Sequence, residues 1–166
     1  MDNAPSSLGS REAVRALLDD PSPAVRKALL AHFTAEQLRE LDPQLRPDEP
    51  TGLDYYPLPV PGERFPIADP HLAPRLTPRP TADSRFLQGL LEGLSAVEKL
   101  GYERLFELGG PRLLSVRHAG GGARSQAWMR LRARALGVPL VPAWSEEAAA
   151  GTARLAWQGL NWKLPV

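Results

Sequence analysis

Apolar residues within the first forty positions recur with the period of an α-helix. The sequence predicts three helices there, and Ser10 can cap the first, which runs to Leu18. Pro23 can open the second, whose apolar face is formed by Val25, Leu29, Leu30 and Phe33. The motif Thr34-Ala-Glu-Gln37 matches a capping box and predicts a third helix over 35–41. Residues 1–42 are therefore predicted to form a helical N-terminal segment.

The next segment, residues 43–80, has no helical periodicity. It holds eleven of the eighteen prolines, a density that excludes a long helix or strand. Residues 53–58 can form a short edge strand, and residues 61–64 a turn. The aromatic residues Tyr55, Tyr56 and Phe65 argue against a disordered linker. We expect an ordered, proline-rich excursion that packs on the surface of the domain.

The pattern becomes most regular in residues 81–166. Thr81 or Asp83 can cap a helix that runs to about Leu100, and Gly101 is a candidate for its C-cap, followed by a short helix over 102–108. The apolar stripe of the longer helix comprises Leu87, Leu90, Leu91, Leu94 and Val97. Gly89 and Gly93 lie four residues apart, a spacing that lets another backbone approach closely.

Strands are predicted at 112–116 and 138–142, with a helix over 125–136 between them and Gly137 as its C-cap. A last helix runs from Ser145 to about Trp157. This order of elements implies neighbouring parallel strands joined by crossover helices, and hence an α/β fold. Two parallel strands cannot make a covered sheet, so further strands are required.

Composition narrows the possible partners. The chain has a formal net charge of +1, which gives no electrostatic reason to expect nucleic acid or a membrane surface as a partner. It has no cysteine, which excludes disulfides and thiolate metal sites. Its apolar runs fall short of the ~20 residues that span a bilayer, and its first residues do not resemble a signal peptide. We expect a cytoplasmic protein of one domain, or of one domain and an appendage.

The strongest candidate for a binding site is the segment that leads from the strand predicted at 112–116 into the next helix. This segment contains Gly120, Gly121 and Gly122. Glycines let a backbone approach a phosphate closely, and the start of a helix adds partial positive charge. Backbone amides from Gly120 to Ala123 could hold phosphate oxygens, and Trp128 could offer a flat apolar face to adenine. The alternative is that the glycines only form a tight turn between strand and helix.

Other phosphate-binding and catalytic signatures are weaker. The sequence contains no GxxxxGK[ST] motif, and its glycine spacing does not match GxGxxG. His118 lies beside the glycines, where a structural, hydrogen-bonded histidine is more common than a base. The arginines that follow are expected on a solvated helix face: Arg124, Arg130, Arg132 and Arg134. No histidines stand at metal-ligand spacing, so no metal site is predicted.

Several blocks together resemble a known family, the FGGY carbohydrate kinases. Residues 119–128 (AGGGARSQAW), 135–140 (ALGVPL) and 146–153 (EEAAAGTA) are similar to its C-terminal lobe, and residues 86–93 (FLQGLLEG) resemble the helix that precedes its nucleotide site. Residues 53–58 (LDYYPL), with 61–66 (PGERFP) and Asp69-Pro70, resemble the branch of D-ribulose kinase-like and xylulose kinase-related proteins. The blocks occur in the family's order between about residues 50 and 158.

The resemblance implies a partial actin-like, ribonuclease H-like ATPase lobe of an ATP-dependent sugar kinase. In it, Gly120, Gly121 and Gly122 match the nucleotide-binding turn, Ser125 falls where relatives often carry asparagine, and Trp128 falls where ribulose kinase-like members carry tryptophan. The shorter serine puts the contact at that position in question. The three antiparallel strands that normally open this lobe are not recognisable in the sequence.

The resemblance also implies that parts of a complete sugar kinase are missing from this sequence. The family's N-terminal lobe supplies the sugar pocket and the catalytic aspartate, and no part of this sequence matches it. We expect ATP as a ligand, with Mg²⁺ held mainly by the nucleotide and by that other lobe, and no catalytic residue in this chain. Activity on a pentulose such as D-ribulose or xylulose would then require a separate N-terminal lobe. The alternative is a non-catalytic interaction module or pseudo-kinase remnant that binds a partner or self-associates through an exposed sheet edge. A third option is an unrelated helical binding protein, which would lack the parallel strand pair.

Overall fold

A computed structural model of the protein describes residues 23–118, 125–143 and 156–157. The helices are α1 (Pro23–Leu30), α2 (Ala35–Leu41), α3 (Asp83–Glu107) and α4 (Gln126–Leu136), the strands are β1 (Val116–His118) and β2 (Leu140–Pro142), and a 3-10 turn spans Asp42–Gln44. The helix predicted between Ser10 and Leu18 lies outside the described residues. Of the last predicted helix only residues 156 and 157 are described, and both are helical.

The capping box predicted before α2 is confirmed. Thr34 Oγ1 accepts a hydrogen bond from the amide of Gln37 at 3.2 Å, and Gln37 Oε1 accepts one from the amide of Thr34 at 2.8 Å. These bonds satisfy backbone donors that a helix start leaves without intrahelical partners. The predicted helix start at Pro23 is confirmed as well.

The break predicted at Gly101 is wrong, because α3 is one continuous helix of 25 residues. Gly101 lies inside it, where a Cβ atom would meet Cε1 of Phe65 at 3.2 Å, so the residue gives the proline-rich segment room to pack. The N-cap predicted for α3, Thr81 or Asp83, is also wrong. Ala82 is the N-cap and provides no side-chain hydrogen bond, while Asp83 lies in the first turn and pairs with Arg79.

The close approach of another backbone predicted at Gly89 and Gly93 is confirmed at Gly93, whereas side chains approach Gly89. A Cβ atom on Gly93 would lie 2.7 Å from the carbonyl oxygen of Tyr55, and one on Gly89 would lie 2.8 Å from Leu53 Cδ1. Residues 53–57 therefore lie against α3. The strand predicted there is reduced to an isolated antiparallel bridge between Tyr56 and Arg75.

Residues 46–51 are bound to α3 by the buried side chain of Gln88 and the partly buried side chain of Glu92. The Gln88 side chain accepts from the amide of Arg46 and donates to the carbonyl oxygens of Arg46 and Glu49. The Glu92 carboxylate accepts from the amide of Thr51. These bonds satisfy a loop backbone that forms no secondary structure of its own.

The predicted parallel strand pair is confirmed: β1 and β2 pair in register Val116↔Leu140, Arg117↔Val141 and His118↔Pro142, with α4 as the crossover. The bounds differ from the prediction, since β1 begins at Val116 rather than at Arg112. Leu114 is 78% exposed, whereas Val116 is buried. The apolar run thus precedes the strand instead of forming it. Within the described ranges the sheet has these two strands.

The hydrophobic core draws on all three compositional zones. Its members are Leu29, Phe33, Leu38, Leu45, Tyr55, Phe86, Leu87, Leu90, Leu91, Trp128 and Leu131. The aromatic ring of Phe86 lies at the centre of this group, with the rings of Phe33 and Tyr55 at 5.9 and 5.8 Å. In the described part of the chain, no helix has the length and apolarity needed to cross a bilayer.

Candidate functional site

The structure describes the residues on either side of the glycine-rich segment, His118 and Ser125. Gly120, Gly121, Gly122 and Ala123 lie outside the described residues. Before them, β1 ends at His118, and after them Ser125 stands at the start of α4. The segment therefore connects the end of a parallel strand to the start of a helix, as the sequence predicts. A phosphate-binding role for its glycines remains a prediction.

Ser125 is the N-cap of α4 and is fully buried. Its Oγ accepts from the amide of Trp128 at 3.2 Å and donates to Oδ1 of Asp42 at 3.2 Å. The cap leaves the amides of Gln126 and Ala127 without a hydrogen-bond partner among the described residues. Such amides at the positive end of a helix dipole can receive an anion.

Asp42 is a functional candidate that the sequence analysis missed. It begins the 3-10 turn after α2, and its half-buried side chain reaches the start of α4. Burial raises the pKa of the Asp42 carboxyl, and the hydrogen bond from Ser125 partly opposes that rise. An aspartate before a proline is typical of a turn. The sequence contains no signal that residues 42 and 125 would meet.

The indole of Trp128 is 3% exposed and belongs to the hydrophobic core. Its Nε1 is buried and has no hydrogen-bond partner among the described residues. An orphaned donor of this kind is unusual, because buried polar atoms are nearly always paired. Stacking of adenine on this ring stays a prediction, and it would require the neighbouring core residues to move aside.

The expectation that Arg132 lies on a solvated helix face is wrong. Its side chain is 9% exposed and forms two hydrogen bonds with the Glu98 carboxylate, at 2.7 and 2.5 Å. Another guanidinium nitrogen contacts Nδ1 of His118, and the guanidinium lies 5.7 Å from the Trp128 ring centroid. Arg132 therefore links α3, α4 and the end of β1 directly before the glycines. This contact supports the structural interpretation of His118.

The other two described arginines of α4 also have carboxylate partners. Arg130 pairs with Asp48, and Arg134 pairs with Glu92 at 3.2 Å. Both side chains are partly exposed, as the sequence predicts. Arg124, the arginine nearest the glycines, lies outside the described residues.

The described residues hold no group of three or more histidine, cysteine, aspartate or glutamate side chains that could bind a metal ion. Among the described residues, the amides of Gln126 and Ala127 and the buried Nε1 of Trp128 have no hydrogen-bond partner.

Comparison with known families gives one match that spans most of the chain. The model of the FGGY family of carbohydrate kinases, C-terminal domain, matches residues 12–159. The match includes α1 and α2, so it begins earlier than the blocks of sequence resemblance, which start near residue 50. It also contains both ends of the glycine segment.

Proposed function

Because the chain belongs to the FGGY family of carbohydrate kinases, we propose that it is the nucleotide-binding, C-terminal portion of an ATP-dependent pentulose kinase. The observation that carries the proposal is the family match across a parallel strand pair whose crossover contains three consecutive glycines. The family uses ATP as its phosphoryl donor. D-ribulose and xylulose are the proposed sugars, on the resemblance of residues 53–70 to one branch of the family.

Phosphoryl transfer requires a positioned nucleotide, a metal that shields its charge, and a base for the attacking hydroxyl. The proposed role of this chain is the first. Amides of the glycine segment and of Gln126 and Ala127 would hold phosphate oxygens, while Ser125 keeps the start of α4 fixed. A magnesium ion, held mainly by the nucleotide and by the separate N-terminal lobe, would shield the phosphate charge.

The base and the sugar pocket are proposed to come from a separate N-terminal lobe. On this proposal the chain alone binds ATP and does not phosphorylate sugar. We also propose a cytoplasmic location, where the kinase would meet its ATP.

Two measurements test the proposal in sequence. Calorimetry should detect saturable binding of ATP to the full chain. Mixing the chain with a candidate N-terminal lobe should then give ADP release that depends on a pentulose. Absence of ATP binding at every accessible concentration would overturn the nucleotide role, and silence with every pentulose would overturn the proposed sugar class.

A second candidate function is a non-catalytic interaction module, and an exposed apolar surface favours it. The C-terminal end of α3 and the segment before β1 expose Leu105, Phe106, Leu108 and Leu114. Beside them lies a cavity of about 560 Å³ whose lining includes Tyr102, Leu113 and Leu136. Exposed apolar patches often mark contact surfaces. Light scattering of the purified chain would test self-association, and Leu108→Glu should reduce it if this surface is used.

A further inference from the structure

We infer that two copies of this chain form a two-fold symmetric dimer through the surface at the C-terminal end of α3. This surface is the exposed apolar one named for the second candidate function, together with its cavity and the charged residues that line it. The dimer assigns a partner to that surface, a second copy of the chain, and it does not depend on the proposed nucleotide role.

The apolar part of the surface supplies the driving force for association. Leu108 and Leu114 are 80% and 78% exposed, and Leu105 and Phe106 are half-exposed. A single exposed leucine is ordinary in a folded protein, but several large apolar side chains at one end of a helix and in the segment that follows it form a contact surface. Covering this surface removes apolar area from water, which favours association.

The same surface offers both projecting side chains and a recess. The cavity of about 560 Å³ is lined by residues from the end of α3, the segment before β1 and the end of α4, including Tyr102, Leu113 and Leu136. Leu108 and Leu114 each directly follow a lining residue in the chain and project into solvent. In a two-fold dimer a patch meets itself, so a leucine of each copy can enter the cavity of the other.

The charges around the cavity are balanced, as a contact between identical surfaces requires. Two basic and two acidic side chains line it: Lys99, Arg112, Glu103 and Glu107. A surface that recognises a strongly charged partner carries an excess of one sign, because complementary potentials favour the right partner and repel the wrong one. Two bases and two acids can instead pair with the acids and bases of a second copy.

These charged side chains are accessible to a partner. Lys99 and Glu103 pair at 3.9 Å with both side chains about half exposed, and Glu107 likewise pairs with an exposed residue of α3. Such exposed pairs contribute little to stability, so they can exchange partners at small cost. The Arg112 guanidinium lies 5.1 Å from the centroid of the Phe106 ring, which places a cation at the border of the apolar patch.

Charge reversal tests the dimer and its symmetry together. An acidic variant carries Lys99→Glu with Arg112→Glu, and a basic variant carries Glu103→Lys with Glu107→Lys. Each variant alone should dissociate at least about tenfold more readily than the wild type, because its surface meets a copy with charges of the same sign. An equimolar mixture should recover the dimer as a heterodimer. Sedimentation velocity measures the association, and native mass spectrometry identifies the heterodimer by its mass.

Two further variants complete the test. Leu108→Glu should weaken the dimer of the full chain about 10- to 100-fold, because it removes a buried leucine and brings a charge into the contact. Glu40→Lys is the matched control, since it reverses an exposed charge on α2, outside this surface, and should dimerise as the wild type does.

The outcomes are distinct from those of the ATP measurements. A wild-type chain that stays monomeric at every accessible concentration would overturn the dimer, and so would charge variants that dimerise as well as the wild type, or a mixture of them that stays monomeric. Circular dichroism establishes the folding of each variant. If a charge variant does not fold, Leu108→Glu decides, because an unchanged dimer in that variant excludes this surface.

Discussion

At the scale of single residues, the buried carboxyl of Asp42 carries a cost in stability. Its carboxyl is half-buried and has no ionic partner among the described residues, so the folded protein disfavours the charged form. The folded-state pKa therefore lies above the ordinary value of 3.8. The folded protein binds a proton more tightly than the unfolded chain does, and the burial penalty grows as the pH rises through that raised pKa.

The first prediction concerns this pH dependence. Asp42→Asn should raise the free energy of unfolding relative to the wild type near neutral pH, because asparagine can accept the Ser125 bond without burying a charge. The advantage should shrink as the pH falls towards 3.8, where both states of the wild type become protonated. Urea unfolding of both proteins at several pH values measures this difference in the free energy of unfolding. An advantage that is constant with pH would contradict the assigned cause.

A second residue-scale prediction uses two glycines of the same helix. Gly93→Ala should lower the free energy of unfolding by about 1–3 kcal/mol, because its Cβ would lie 2.7 Å from the Tyr55 carbonyl oxygen. Gly101→Ala is the matched control. Its Cβ meets only the end of the Phe65 side chain, so the gain in helix propensity of up to about 1 kcal/mol should offset the contact.

Denaturant unfolding of the Gly93→Ala and Gly101→Ala variants measures the change in the free energy of unfolding that each substitution causes. Equal effects would contradict the close approach of residues 53–57 to α3. The sequence predicted that approach from spacing alone, since small residues one helical turn apart form a flat surface. It could not predict the contact between Asp42 and Ser125, because no local pattern relates residues so far apart in the chain.

At the scale of elements, the two ends of the glycine segment are held by different partners. The start of α4 is capped by Ser125 and reached by Asp42, while the end of β1 contacts Arg132, which α3 holds through Glu98. The pair of Arg132 and Glu98 thus orients α3, α4 and β1 together. Its side chains are 9% and 25% exposed, so removal of one partner leaves a poorly solvated charge.

The element-scale prediction compares this pair with an exposed one. Glu98→Gln should lower the free energy of unfolding by about 2–4 kcal/mol, because the Arg132 charge loses its partner. Glu107→Gln breaks the exposed pair with Arg104 and should cost less than about 0.5 kcal/mol. Thermal or urea unfolding measures both. Costs of similar size would contradict the view that the buried pair joins the elements.

The sequence predicted the periodic helices and two of their caps well, and the caps of α3 and the element boundaries less well. Thr34 and Gly137 carry local signals, a capping box and a left-handed C-cap, and both are confirmed. Gly101 resembles a helix end, but α3 continues through it because Phe65 packs against the glycine. The strand at Val116 was placed too early because an apolar run does not reveal which of its residues will pair.

At the scale of the whole molecule, the three compositional zones share one core. Leu38 from the helical zone, Tyr55 from the proline-rich zone and Leu87 from α3 are members of the same cluster. The family match over residues 12–159 likewise spans these zones. Composition changes along the chain because the proline-rich zone uses side-chain and backbone contacts to α3 instead of its own secondary structure.

The central claim is that the glycine segment between β1 and α4 holds the phosphates of ATP. The most direct test is calorimetric titration of the full chain and of Gly121→Val with ATP in Mg²⁺, because a valine at that position removes the close backbone approach a phosphate needs. Ala82→Val is the control, since it adds similar bulk at an exposed, extended position. We predict saturable binding by the wild type and the control, and none by Gly121→Val. Equal binding by all three proteins, or binding by none, would contradict the claim.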